Sequence, residues 1–123
     1  MSEITSHAVA REIQLKFNNP LRGERLIDDL KDLILKVADA ISIRGIIPGH
    51  IKAFVVEGDF YSALNCTRPG KVEIEYSEDF ATSELRAPQL SLVAVISLIP
   101  KEQVANVIDE NVNMLMKKWQ MKS

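Results

Sequence analysis

Two stretches of the chain repeat apolar residues every three or four positions, which is the period of an amphipathic helix. The first covers residues 26–41, after an Asn-Asn-Pro sequence at 18–20 that suits a helix start, and Gly45 is placed to cap its end. The second covers residues 104–119 and follows Pro100, a residue favoured at the beginning of a helix. We therefore predict two long helices.

The face of the first predicted helix opposite its apolar stripe is almost entirely charged. Its members are Glu24, Arg25, Asp28, Asp29, Lys31, Asp32, Lys36 and Asp39. A run of charges on one side of a helix is most simply a solvated surface. We expect this face to point into water.

Residues 12–18 alternate strictly between apolar and polar, which is the period of a strand. The competing interpretation is a helix in which Val9, Ile13 and Phe17 form one stripe at a spacing of four. We favour the strand because the alternation is unbroken. Residues 1–8 are predicted to be a loose end.

Residues 48–76 contain two turns that join three predicted strands. Gly58 and Asp59 suit a two-residue hairpin turn with glycine in the first position. Counting back from this turn gives the cross-strand pairs Glu57 with Phe60, Val55 with Ser62, Ala53 with Leu64, Lys52 with Asn65, and Ile51 with Cys66. The hairpin thus has a defined inner and outer face.

The second turn, at residues 68–70, allows two registers. In the first, Val72 pairs with Cys66 and the apolar face of the hairpin continues into the next strand. In the second, the Pro-Gly pair alone forms the turn, and a slip of one residue moves Val72 and Ile74 to the other face. We choose the first register, because burying these side chains beside Leu64 outweighs a turn preference of about 1 kcal/mol or less.

Residues 90–99 are apolar on both faces and rich in β-branched residues, which is typical of an interior strand. The predicted order is strand, helix, four strands, helix. Two helices of about 10 Å diameter can cover one face of about five strands spaced about 4.8 Å apart. We therefore predict one α+β domain over residues 1–123, a two-layer sandwich with both helices on one face of a mostly antiparallel sheet.

The composition is that of a globular domain, with 46% hydrophobic and 26% charged residues in a chain of 123. A net charge of -2 argues against nucleic-acid binding. The single cysteine excludes an intrachain disulfide and fits a cytoplasmic location. The longest apolar run is about half a membrane span, and the two histidines and Cys66 show no metal-ligand spacing, so we expect no membrane insertion, metal or cofactor.

The chosen register gathers polar side chains on the sheet face away from the helices, and we call them the polar cluster: His50, Lys52, Asn65, Thr67, Lys71 and Glu73. One hypothesis is an enzyme in which His50 is the general acid or base, Lys52 and Asn65 stabilise negative charge, and residues 78–89 form a lid. A second is an anion site at a basic sheet end that also holds Arg44 and Arg68. The simplest interpretation is ordinary solvent-facing polarity.

The same face carries apolar residues without a predicted cover, namely Phe54, Val56, Tyr61, Val93 and Val95. Exposed apolar surface of this extent is unusual on a monomer, and a second copy of the chain is the most economical cover. The alternative cover is residues 78–89 or the N-terminus. We therefore expect a homo-oligomeric binding module rather than an enzyme, with a protein or small anion as partner and with Cys66 as a core residue.

Overall fold

The computed structural model of the protein describes residues 5–119. In chain order these residues form β1 (Ser6–Gln14), β2 (Leu21–Arg22), α1 (Gly23–Ala40), β3 (Gly49–Glu57), β4 (Phe60–Arg68), β5 (Lys71–Tyr76), β6 (Glu84–Leu85), β7 (Gln89–Ser97) and α2 (Lys101–Lys118). The predicted order of helices and long strands is confirmed. The two short strands β2 and β6 pair with each other and were not predicted.

Five strands form one sheet in the order β1-β7-β3-β4-β5, and every neighbouring pair is antiparallel. The strand β7 lies between β1 and β3, which confirms the interior position predicted for residues 90–99. Helix α1 packs against β3, β4 and β5, whereas α2 packs against β1 and β7. The core between this sheet face and the helices includes Val9, Ile51, Val55, Leu64, Leu92 and Ile96. The two-layer α+β prediction is therefore confirmed.

Several boundaries differ from the sequence-based predictions. The first strand, predicted over residues 12–18, ends at Gln14 in the structure. Strand β1 begins at Ser6, inside the segment predicted to be loose, because residues 6–8 pair with β7. Residues 1–4 lie outside the described part of the chain. Helix α1 begins at Gly23, after β2, and ends before Ile41, so Gly45 lies in the following turn with a φ of 77° instead of capping the helix.

The second hairpin combines the two registers that the sequence allowed. Asn65 pairs with Glu73, as the chosen register requires. At the turn, however, Arg68 pairs with Lys71, so the Pro-Gly pair at 69–70 forms a two-residue turn. Both the apolar packing and the turn preference are therefore satisfied, in different parts of the same hairpin.

A β-bulge reconciles these two registers. It places Cys66 and Thr67 opposite the single residue Val72, so β4 absorbs one extra residue between the two registers. The predicted direct pair of Val72 with Cys66 is wrong for this reason, and so is the pair of Lys71 with Thr67 that the same register implies. The inward orientation of Cys66 is kept, because its side chain is fully buried.

The connection between β5 and β7 is fixed to the start of α1. Phe80 and Leu85 are fully buried in the core, although the surrounding sequence is polar. The Gly23 N–H donates to the Ser83 carbonyl at 2.9 Å, and a Cβ on Gly23 would lie 1.8 Å from the Phe80 carbonyl oxygen. The segment is thus anchored on the helix side, so the prediction that residues 78–89 form a lid or cover the opposite sheet face is wrong.

A buried carboxylate joins the two helices. Asp29 is 4% exposed and accepts hydrogen bonds from Lys118 Nζ at 2.9 Å and from Trp119 Nε1 at 2.8 Å. The Trp119 ring also meets the Phe17 ring edge to face, with 5.5 Å between centroids. The prediction that the charged face of α1 is wholly solvated is therefore wrong at Asp29, which binds the end of α2.

A second link between the layers joins Arg11 of β1 to Asp109 of α2. The guanidinium donates from Nε to Oδ1 at 2.9 Å and from Nη2 to Oδ2 at 3.1 Å. The hydrogen bond from Arg11 is the main reason that the pKa of Asp109 lies below its usual value. A carboxyl whose pKa is lowered on folding stabilises the protein above its unfolded pKa, and this contribution is lost as the pH falls through the folded value.

We expect Asp109→Asn to lower the free energy of unfolding at pH 7 by about 0.2–1 kcal/mol, because both side chains of the pair are partly exposed to solvent. The difference from the wild type should vanish as the pH falls through the lowered pKa of Asp109. Urea denaturation between pH 7 and pH 2 measures both effects. Glu110→Gln changes the charge of an exposed neighbour and should have little effect. An unchanged difference at low pH would contradict the prediction.

Candidate functional site

We call the sheet face opposite the helices the open face. Its side chains alternate with the core side chains along every strand, because successive residues of a strand point to opposite sides. They include Ala8, Ala10 and Glu12 of β1, Val93 and Val95 of β7, His50, Lys52, Phe54 and Val56 of β3, Tyr61, Ala63 and Asn65 of β4, and Glu73 and Glu75 of β5. All five predicted interface residues lie on this face.

One cross-strand row crosses the whole open face. It runs from Ala10 through Val93, Lys52 and Asn65 to Glu73, each residue pairing with the next. Directly paired side chains in such a row have Cβ atoms about 5 Å apart. The structure therefore brings together three members of the polar cluster, as the sequence predicted.

A shallow depression of about 350 Å³ lies at the acidic end of this row. Its lining side chains include Lys52, Phe54, Ala63, Asn65, Glu73 and Glu75. Within the described residues, Lys52 forms no ion pair with either glutamate. The Oδ1 atom of Asn65 is buried and has no hydrogen-bond partner among those residues. Two carboxylates thus face one ammonium group, which makes the depression a poor site for a small anion.

An aromatic pair stands beside the depression. The Phe54 and Tyr61 rings stack with 6.0 Å between centroids and an interplanar angle of 23°. Each residue is 42% exposed. The neighbouring Val56 and Val93 are half-buried, so the pair forms the most prominent apolar feature of the open face. Stacking is one of the arrangements that aromatic side chains favour in proteins.

The remaining members of the polar cluster lie outside the depression. His50 is half-buried at the start of β3 and pairs with Val95, while the bulge places the exposed Thr67 and Lys71 near the turn. The start of β3 can approach β7 here because Gly49 has no side chain. A Cβ at this position would lie 1.8 Å from the Val95 carbonyl oxygen, and the φ of Gly49 is 151°. The structure does not assemble His50 with Lys52 and Asn65 around one pocket, and its catalytic role stays a prediction.

Cys66 behaves as a core residue. Its Sγ lies 3.2 Å from the Arg68 carbonyl oxygen, and burial raises the pKa of its thiol. A neutral, enclosed thiol is a poor nucleophile. In the part of the chain that the structure describes, no three His, Cys, Asp or Glu side chains are grouped so that they could hold a metal ion.

Sequence reasoning did not single out Glu75. The signal was present, because Glu75 is two residues beyond Glu73 and therefore shares its face. Its contribution to the charge of the depression depends on the strand register, which places Glu75 opposite Ala63. With Glu75 included, the local charge changes from balanced to negative.

None of the helices within residues 5–119 is long and apolar enough to cross a membrane. Comparisons with protein-family models, curated proteins and solved structures found no match for this chain.

Proposed function

We propose that this protein is a homo-oligomeric binding module and that a second copy of the chain packs on its open face. The observation that carries the proposal is the stacked pair of Phe54 and Tyr61, each 42% exposed on a face that neither helix covers. Aromatic side chains in the middle of a surface are typical anchors of protein contacts. Their burial by a partner would remove this apolar surface from water.

The size of the open face supports a protein as the occupant. Five strands at about 4.8 Å spacing, with most strands nine residues long, give a face of roughly 700 Å². Two such faces packed together would bury about 1,400 Å², which lies within the range of specific protein interfaces. A small ligand would leave most of this surface uncovered.

The charges of the face support the same choice. Glu73 and Glu75 outnumber Lys52 in the depression, so it repels an anion overall. Toward β1, Ala8, Ala10 and the two valines of β7 form a smooth area of small or apolar side chains beside the aromatic pair. Such low relief suits the packing of one sheet on another at about 10 Å.

Sedimentation of the wild type at tens of micromolar is expected to show a dimer or a larger species. Phe54→Lys should weaken this association by about 30-fold or more, because a central aromatic anchor is typically worth about 2–4 kcal/mol. Tyr76→Lys provides a matched control, since Tyr76 is also exposed but projects from the other side of β5, opposite Ser62. A monomeric wild type, or equal effects of the two variants, would contradict the proposal.

A further inference from the structure

Strand β1 forms a long and regular edge of the sheet. All nine of its residues pair with β7 without interruption, from Ser6 with Ser97 to Gln14 with Gln89. Within residues 5–119, no strand pairs with its outer side. Such an edge offers a row of backbone donors and acceptors to another strand.

The two edges of the sheet are built differently. Strand β5 has six residues, pairs with the bulged strand β4, and presents the charged side chains Lys71, Glu73 and Glu75. All of these features discourage edge pairing. Strand β1 contains neither lysine nor proline. Its two charged side chains are already engaged, Arg11 with Asp109 and Glu12 with the Ser91 hydroxyl at 2.7 Å.

The hydrogen bonds beyond the end of β1 show which backbone groups face outward. The Leu15 N–H donates to the Pro88 carbonyl, and the Phe17 N–H donates to the Arg86 carbonyl. The backbone N–H and C=O groups of the odd-numbered residues therefore point toward β7. In an antiparallel ladder the groups alternate. The N–H and C=O groups that face the free edge therefore belong to Ser6, Ala8, Ala10, Glu12 and Gln14. In agreement, the Ala10 carbonyl accepts only a side-chain bond, from Arg11 Nη1 at 2.9 Å.

We propose that a second copy of the chain pairs its β1 with this edge, antiparallel and around a twofold axis at Ala10, which joins the two sheets into one of ten strands. In this register Ser6 faces Gln14 of the other copy, Ala8 faces Glu12, and Ala10 faces its own equivalent. All five outward residues then form hydrogen-bonded pairs, with about ten bonds in total. A twofold axis at any other residue would leave some of the outward N–H and C=O groups of β1 without a hydrogen-bond partner.

The side chains fit the same register. Glu12 lies opposite Ala8 on the open face, and Arg11 lies opposite Val9 on the helix side, so no like charges face each other directly. The two Arg11 side chains meet only diagonally, and each is neutralised by its own Asp109. An axis at Arg11 would place the two arginines opposite each other. The small side chain of Ala10 thus lies at the twofold axis.

The edge pairing uses the outward backbone groups of β1, whereas the proposed sheet-to-sheet contact uses side chains of the open face. It would place the open faces of two copies side by side in one continuous surface. A contact through the edge and a contact through the open face can therefore exist together or separately. Phe54→Lys removes the aromatic anchor of the face contact and leaves the backbone groups of β1 unchanged, so it separates the two contacts.

Paired charge variants at the axis provide the test. Ala10→Lys and Ala10→Glu each place two like charges opposite each other, so we expect each to raise the dissociation constant of the edge dimer at least tenfold. An equimolar mixture of the two variants should restore the dimer. The experiment is done in the Phe54→Lys background, which weakens the proposed face contact, and native mass spectrometry distinguishes the mixed dimer by its mass.

Tyr76→Lys in the same background adds a lysine at the other edge and should leave the dimer intact. Circular dichroism shows whether each variant is folded. Independently, hydrogen exchange of the Phe54→Lys protein should show concentration-dependent protection at the amides of Ala8, Ala10 and Glu12. Absence of that protection, or failure of the mixture to dimerise, would overturn the proposal.

Discussion

Replacing Phe80 with alanine is expected to lower the free energy of unfolding by about 3–5 kcal/mol. The ring is fully buried, and its backbone carbonyl lies against Gly23 at the start of α1. Removal of the ring would leave a cavity between the connection and the core. The loss would therefore combine the hydrophobic contribution of the side chain with the cost of the cavity.

Chemical denaturation at one fixed protein concentration measures this effect, since association would otherwise shift the midpoint. Phe80→Leu keeps most of the volume and should cost less than about 1.5 kcal/mol. Tyr76→Ala removes an aromatic ring that is 54% exposed and should cost much less than Phe80→Ala. If Phe80→Ala costs no more than Tyr76→Ala, the connection is not docked in the core.

Asp29→Ala is expected to destabilise the protein by about 2–4 kcal/mol. The substitution would leave the Trp119 indole N–H buried without its acceptor and would remove the partner of Lys118. Asp29→Asn should cost less, because its amide oxygen can still accept from the indole. Trp119 is the only tryptophan, so its fluorescence reports directly on whether the end of α2 stays docked.

Asp28→Ala is the matched control, since Asp28 is the exposed neighbour on the same helix. Its effect should lie within about 0.5 kcal/mol. In Asp29→Ala the tryptophan emission should shift to longer wavelength in the native state, whereas Asp28→Ala should leave it unchanged. Equal stability and equal emission of the two variants would show that Asp29 does not hold α2 in place.

The elements that could be predicted are those specified by neighbouring residues. The Gly58-Asp59 turn sets the first hairpin, so the pairing of Lys52 with Asn65 followed by counting alone. Hydrophobic alternation then identified the open face and placed Phe54 on it. In both cases the information lies within a few residues of the element concerned.

The features that could not be predicted depend on contacts between distant parts of the chain. Phe80 is one apolar residue in a polar segment, and only its position near Gly23 makes it a core residue. In the sequence Asp29 looks like its solvent-exposed charged neighbours, because its burial depends on the contact with Trp119 at the end of α2. The bulge at Cys66 arises because packing and turn chemistry favour different registers, and a single sequence does not reveal that both can be satisfied.

The position of β7 between β1 and β3 has a consequence for how the chain folds. Ser6 and Ser97 are neighbours in the sheet although 91 residues separate them, whereas β3, β4 and β5 are joined by tight turns. Local hairpins close quickly, and distant pairings close late. During synthesis the three-stranded meander should therefore form first, while β1 waits for the last strand to emerge. Until then, the sides of β1 and β3 that later receive β7 are both unpaired, and this interval is when the nascent chain is most exposed to aggregation.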